Sequence, residues 1–481
     1  MHRIRKYAPV LAAAAVLTAG LSTAVPALAS PAAPQACGGT GATTTTTGML
    51  KDTATYEIQC PAGHWNGQLF LYSHGYVVPG SANPAADAQD PVTANWLLSQ
   101  GFALAGSSYA TTGWAIQQAL PDQIATKNVF SQDFGRPSKT IAWGDSLGGI
   151  ITAGLIQDFP QQFNAALPLC GVLSGGVATW NTAVDAEFAF QQLIDPAVQA
   201  VNITGNPAVN LEGAEVAAAA AQKTPAGQAR LALSAALGDT PGWFTTGSPE
   251  PAAGDFAAQE QNQFLWQSEV DFPFVFDFRA ELETRAGGNP SWTIGVNFAQ
   301  QLRESSDFAE VKALYQAAGL NLNADLSKLQ HAKPIVASPK AVSYLAHNIA
   351  FNGEIHVPVL TMHTEGDGLV VPQNESAYQQ VVARDGNSRF LRQTFVSRAG
   401  HCAFTPAETV SVIKVLLNRM NTGNWDSAAL QPAALNASAA ALGPQFNIFA
   451  TGASEVSTPP AFQAFAPGPY QRPFDLLPFP F

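Results

Sequence analysis

The sequence predicts an α/β protein, a mostly parallel sheet with helices on both faces, interrupted after the sixth strand by a large and mainly helical insertion. Three observations predict it. Short apolar runs alternate with helical stretches over residues 65–171 and again over 340–420, the rhythm of parallel strands joined by crossover helices. Between these blocks the rhythm gives way to alanine-rich helical segments and many aromatics. The apolar run 140–143 stops at Gly144-Asp145-Ser146-Leu147-Gly148 and passes into a helical stretch at 150–156, a strand turning sharply into a helix.

In chain order, residues 1–29 read as an export signal: Arg3, Arg5 and Lys6 form a basic start, residues 9–21 an apolar stretch, and Ala27-Leu28-Ala29 a small-residue cleavage site. The apolar stretch is short and interrupted by Gly and Pro, which favours secretion over a membrane anchor, and no later segment is apolar enough for stable membrane insertion. Without those residues 20 Lys and Arg face 35 Asp and Glu, a net charge of −15, which argues against nucleic acid or anionic surfaces as partners. Charged residues are 12% and hydrophobic ones 47%, which suits a well-buried core under an unusually neutral surface.

Residues 30–50, rich in Ala, Pro, Gly and Thr, read as a flexible lead-in, with structure starting near Thr53 in a first core block, 51–171. There, 67–73 reads as a buried strand running into His74-Gly75-Tyr76, a tight turn at a strand's C-terminal end, where ligand sites form in open α/β sheets. Segments 91–100 and 116–134 read as helices, and 102–109, 140–143 and 165–170 as strands. Residues 172–339 read as the helical lid, whose aromatics, among them Trp243, Phe244, Trp266, Phe272, Phe274 and Trp292, could roof a cleft or pack the insertion's own core. The core resumes over 340–423: a helix at 342–351, a strand at 357–363 ending in Glu365-Gly366-Asp367, a helix at 377–383, a last strand at 390–396 before Gly400-His401-Cys402, and a closing helix at 408–419. Residues 424–481, rich in Pro and Phe, read as a tail wrapping the body in extended form.

Four cysteines in an exported chain favour two disulfides over metal ligands. The favoured pairing joins Cys37 to Cys60, tying the N-terminal arm to the first strands, and Cys170 to Cys402, both near one edge of the sheet, where the bridge would hold the loop of His401.

The G-x-S-x-G carries the chemistry. A turn this sharp leaves no room for β-carbons beside the serine, so Gly144 and Gly148 stand where the backbone passes closely and the Ser146 hydroxyl is pushed out at the sheet's edge. The helix that starts there points N–H groups and a positive dipole end at an anion forming beside it. The same letters open the GDSL esterases, but the Asp-x-x-His pair those enzymes carry near the C-terminus is missing here.

Ser146, Asp367 and His401 each follow a predicted strand, in the order nucleophile, acid, histidine. In Ser73-His74-Gly75-Tyr76, in Gly144 to Gly148, in Glu365-Gly366-Asp367 and in Gly400-His401, the chain resembles the α/β-hydrolase superfamily, and within it secreted bacterial serine esterases and lipases. The resemblance implies Ser146 as nucleophile, His401 as base and Asp367 as the carboxylate that orients it, with the backbone N–H groups of Tyr76 and Leu147 as oxyanion hole. His401 is the only histidine after Asp367. Glu365 is the alternative acid, His74 and Asp145 read as scaffold, and His356 and His363 as core or surface residues without a third metal ligand at suitable spacing. No metal and no organic cofactor is expected.

The expected function is hydrolysis of carboxylic esters in uncharged, partly apolar substrates, small-molecule or polymeric, through an acyl-enzyme. The alternative is a serine peptidase, proline-directed or of aminopeptidase type, or an acyltransferase; acidic residues at Glu260, Glu269, Asp271, Glu281 and Glu283 could hold a peptide's amine. A non-catalytic binding protein on the same fold is a third reading, disfavoured by the complete set of reactive residues.

Overall fold

A computed structural model describes residues 35–451 and 454–474; residues 1–29, read from sequence as an export signal, and residues 475–481 of the tail lie outside them. The strands are β1 (Thr44–Met49), β2 (Thr55–Cys60), β3 (Gln68–Ser73), β4 (Ala103–Ser107), β5 (Lys139–Asp145), β6 (Ala165–Leu169), β7 (Val359–Gly366), β8 (Leu391–Ala399), β9 (Ile448–Thr451), β10 (Ser454–Ser457) and β11 (Phe462–Gln463). The main sheet has the order β1-β2-β4-β3-β5-β6-β7-β8-β11. From β4 across to β8 every neighbouring pair is parallel, while β1, β2 and β11 add antiparallel edges.

Parallel strands buried on both faces read as continuous apolar runs, and alternation splits each run between two cores. Leu69 and Leu71 pack with Ile116, Phe130, Ile151 and Leu155 of α2 (Ile116–Phe134) and α3 (Leu147–Asp158). Phe70 points the other way, to Leu104, Ile141, Leu97 and Ile413, beneath α1 (Pro91–Ser99) and the closing helix Pro406–Thr422. Burying each such side chain contributes roughly 1.5–3 kcal/mol. The closing helix starts on a capping box, in which the Thr405 hydroxyl accepts from the Glu408 N–H and the Glu408 carboxylate from the Thr405 N–H, and stops at Gly423 in the left-handed conformation.

Between β6 and β7 the regular elements are helical, from Gly176–Leu193 to Pro339–His347. They bury apolar clusters of their own, one around Phe188, Leu233 and Tyr315 and one around Phe190, Phe272 and Phe276. One rod runs from Phe256 to Ala286 and widens into π-helical turns over Gln267–Asp271 and Pro273–Phe278, which takes up a proline that has no N–H to donate.

The two ends of the described chain depart from the sequence reading. The lead-in at 30–50 is not flexible throughout: its threonine run forms edge strand β1, paired residue for residue with β2 and anchored by the Cys37–Cys60 disulfide. β-branched threonines suit an edge whose outer face stays in water. The tail at 424–481 is not simply extended: Pro432–Ala440 is a helix started by a proline at its first position, and β11 continues the sheet beyond β8. Among the described residues no helix is long and apolar enough to cross a membrane.

Candidate active site

Ser146 joins β5 to α3 with φ 58° and ψ −122°, a strained conformation for a residue with a side chain. The strain is imposed by crowding. A β-carbon on Gly148 would lie 1.8 Å from the Ser73 carbonyl oxygen, and one on Gly144 2.3 Å from the same atom. Tyr72 donates a hydrogen bond to the Asp145 carboxylate, so Asp145 braces the turn from behind.

Asp367 follows β7 and is fully buried. Its Oδ1 accepts from the N–H groups of Leu369 and Val370, at 3.1 and 2.9 Å, and its Oδ2 lies 2.7 Å from His401 Nδ1. His401 Nε2 lies 2.7 Å from Ser146 Oγ. Burial would push the Asp367 carboxyl up, but the His401 and His363 rings outweigh it and hold it below its ordinary value, so it is an anion.

The histidine's loop is fastened twice. Cys402 is bonded to Cys170, one residue beyond β6, and its Sγ lies 3.4 Å from His401 Nε2. Arg398, at the end of β8, donates to both Glu408 oxygens, at 2.7 and 2.9 Å, and to the Ala403 carbonyl at 2.6 Å, which spans the turn. Cys170, His401 and Cys402 are also the one grouping among the described residues with three ligand atoms close enough for a metal ion, but both sulfurs are committed to the disulfide.

Ser146 opens onto a cavity lined by Tyr76, Leu147, Trp114, Trp180, Phe272 and Phe274, among others. Tyr76 packs against Phe274 and Phe278 of the widened rod. Two carboxyls also reach this mostly apolar cavity, Glu187 and Asp271. Burial pushes Glu187 up to about 8 against the pull of Arg279, and burial with the Asp367 charge drives Asp271 well above its ordinary value. The indole N–H groups of Trp114 and Trp180, both Glu187 oxygens and Gln267 Oε1 have no hydrogen-bond partner in the protein.

Of the residues weighed from sequence, Ser146, Asp367 and His401 meet in one hydrogen-bonded row, and Tyr76 and Leu147 border the same cavity. Glu365 lies apart, bonded to Gln463. His74 stacks on Tyr109 with ring centroids 4.0 Å apart, and burial pushes its imidazole down. His356 is exposed, whereas His363 is buried 3.6 Å from Asp367. Of the five acidic residues considered for a peptide amine, only Asp271 lines the cavity. Glu187 carries no signal in the sequence, because a lone glutamate within an apolar helix belongs to no motif.

A serine on a strained turn after β5, a buried acid after β7 and a histidine after β8 stand at the C-terminal edge of a mostly parallel sheet. The fold is that of the α/β-hydrolases. Residues 40–253, a little under half of the chain, match the model of a tannase-like family of unknown function. An o-phthalyl amidase from Xanthobacter agilis is 28% identical to this chain over 426 residues, 82% of this chain and 90% of that one. Among solved structures, the rice cell wall degrading esterase LipA of Xanthomonas oryzae aligns over 73% of this chain and 81% of its own at 13% identity with a TM-score of 0.33. Feruloyl esterase B of Aspergillus oryzae aligns over 79% and 80% at 10% identity with a TM-score of 0.38.

Proposed function

We propose that this α/β-hydrolase is an exported serine hydrolase that cleaves carboxylic esters through an acyl-enzyme. The observation that carries the reading is the unbroken row Asp367, His401, Ser146 opening onto a mostly apolar cavity. Ser146 Oγ attacks the ester carbonyl as His401 Nε2 takes its proton, and Asp367 stabilises the imidazolium. The N–H groups of Leu147 and Tyr76 receive the oxyanion, roughly 3 kcal/mol for each donor. Collapse expels the alcohol with the proton from His401, and water then releases the acid by the same steps in reverse. The tannase-like family match and the named amidase relative both support an esterase or amidase type of hydrolase. The two disulfides support export.

The substrate is uncharged overall and partly apolar, with the helical segment 172–339 acting as a lid over it. The unpaired polar atoms of Trp114, Trp180, Gln267 and Glu187 favour an acyl group that brings hydrogen-bonding substituents, since leaving such atoms unpaired costs about 1–3 kcal/mol each. A second reading, cleavage of amide bonds, is favoured by the relative named as an amidase and by Asp271 in the cavity, where a substrate amine could meet it.

Nitrophenyl acyl esters of rising chain length, with nitroanilide peptides in parallel and Ser146→Ala as control, test both. Ester turnover lost in Ser146→Ala supports the esterase and sizes the acyl pocket. Anilide turnover without comparable ester turnover favours the second reading.

A further inference from the structure

His363 lies on β7, fully buried, with no part in the row just described. Its Nε2 sits 2.7 Å from the Val370 carbonyl oxygen. That oxygen can only accept, so Nε2 carries a proton. Its Nδ1 faces Glu375 Oε1 at 3.1 Å, and Glu375 Oε2 already accepts from Thr361 Oγ1 at 2.6 Å and from Gln393. One proton is shared between Nδ1 and the Glu375 carboxyl, and imidazole is the stronger base by about two units. A second carboxylate, Asp367 Oδ2, stands 3.6 Å from Nε2 on the other side. Asp367 therefore lies between two histidines, His401 at 2.7 Å and His363 at 3.6 Å.

We propose that His363 is a permanently protonated positioning residue that acts on the reaction through Asp367, fixing the carboxylate toward His401 and disfavouring a second positive charge there. The proposal rests on the catalytic roles given above to Ser146, His401 and Asp367. A carboxylate facing an imidazole in a dry core stabilises the ring's charged form. The buried cation offsets that pull while leaving Asp367 ionised. Burial alone would push the His363 ring down, but its two carboxylate partners outweigh it and hold it at about 10. The other titratable groups near these two rings are Tyr378 beside Glu375, Asp271 of the widened rod beside Asp367, and Asp145 of β5, which senses His401.

The direct test is the nitrogen-15 spectrum of histidine-labelled wild-type protein at about pH 8, where an ordinary imidazole is neutral. The expected result is one ring with both nitrogens protonated, a signal absent from His363→Gln. A His363 ring with one bare nitrogen at that pH overturns the proposal. In kinetics, His363→Gln shifts the acid limb of the kcat/KM profile for a nitrophenyl ester upward by roughly one unit, with substantial activity on the alkaline plateau. If Glu375 left unpaired prevents that variant from folding, His363→Gln/Glu375→Gln replaces both charges with amides and shifts the limb the same way. A fall in rate or melting temperature with the limb unmoved reduces His363 to a packing residue and overturns the proposal. Failure of the underlying catalytic reading looks different: Ser146→Ala would keep full ester turnover whatever the charge on His363.

Discussion

The disulfide between Cys170 and Cys402 ties the end of β6 to the residue that follows His401, and places the Cys402 sulfur 3.4 Å from the imidazole Nε2. It closes a loop of 232 residues around the helical insertion, so it restrains both the unfolded chain and the position of the histidine. The variant Cys170→Ser/Cys402→Ser is expected to lose about 2–5 kcal/mol of stability. Below its lowered melting temperature, kcat should fall at least tenfold. Thermal melts and ester kinetics on the same preparation check this, and undiminished kcat would show that the Arg398–Glu408 pair alone holds the loop.

Gly148 is the least replaceable glycine of the turn, because a β-carbon there would lie 1.8 Å from the Ser73 carbonyl oxygen. Gly148→Ala must displace β3 from the turn, at a cost of about 3 kcal/mol or more. Denaturant unfolding reads that cost; a change below about 0.5 kcal/mol would mean that the turn is looser than its geometry.

The two candidate acids separate cleanly by substitution. Asp367→Asn keeps the shape and leaves His401 in the wrong tautomer, so kcat is expected to fall by about 10⁴. Glu365→Gln, whose carboxyl is engaged with Gln463, should stay within about threefold of wild type, as expected for a group outside the reacting row. The reverse ranking would transfer the acid's role to Glu365.

Several buried acids sit unpaired or half-paired. Burial raises Asp185 and Glu260 to about 7, Glu187 to about 8 and Glu310 to about 9. Each binds its proton more tightly folded than unfolded, so its contribution to stability is full below the unfolded value, about 4, and is lost as pH rises through the folded value. The depressed Asp367 has the opposite sign and acts only at the acidic end. Melting temperature should therefore decline from about pH 5 to about pH 9, and Glu187→Gln should flatten part of the slope between pH 5 and 8. A flat wild-type profile would mean that these carboxyls are hydrated.

The core was legible in the sequence wherever local chemistry has one solution. Gly144 and Gly148 announce a turn that only glycine permits, and the buried parallel strands read as unbroken apolar runs because both faces are covered. Other features depend on partners distant in the chain. The threonines of β1 become a strand only because β2 is alongside, and the helix Pro432–Ala440 sits in an alanine-rich stretch without apolar periodicity. Glu187 gains its meaning from the cavity wall opposite, and His363 from a glutamate a turn into the next helix. Order along the chain singled out Ser146, Asp367 and His401 because each follows a strand of one sheet; the side-chain charges around them arise from packing alone.

If Ser146 is the nucleophile, covalent capture by an active-site reagent will fall on it. Purified protein is treated with a fluorescent alkyl phosphonate, digested and mapped by peptide mass, with His401→Ala as the unactivated control. The expected result is one equivalent of label on Ser146, loss of ester turnover in proportion, and greatly slowed labelling in His401→Ala. Label on another residue, or full turnover with Ser146 blocked, would contradict it.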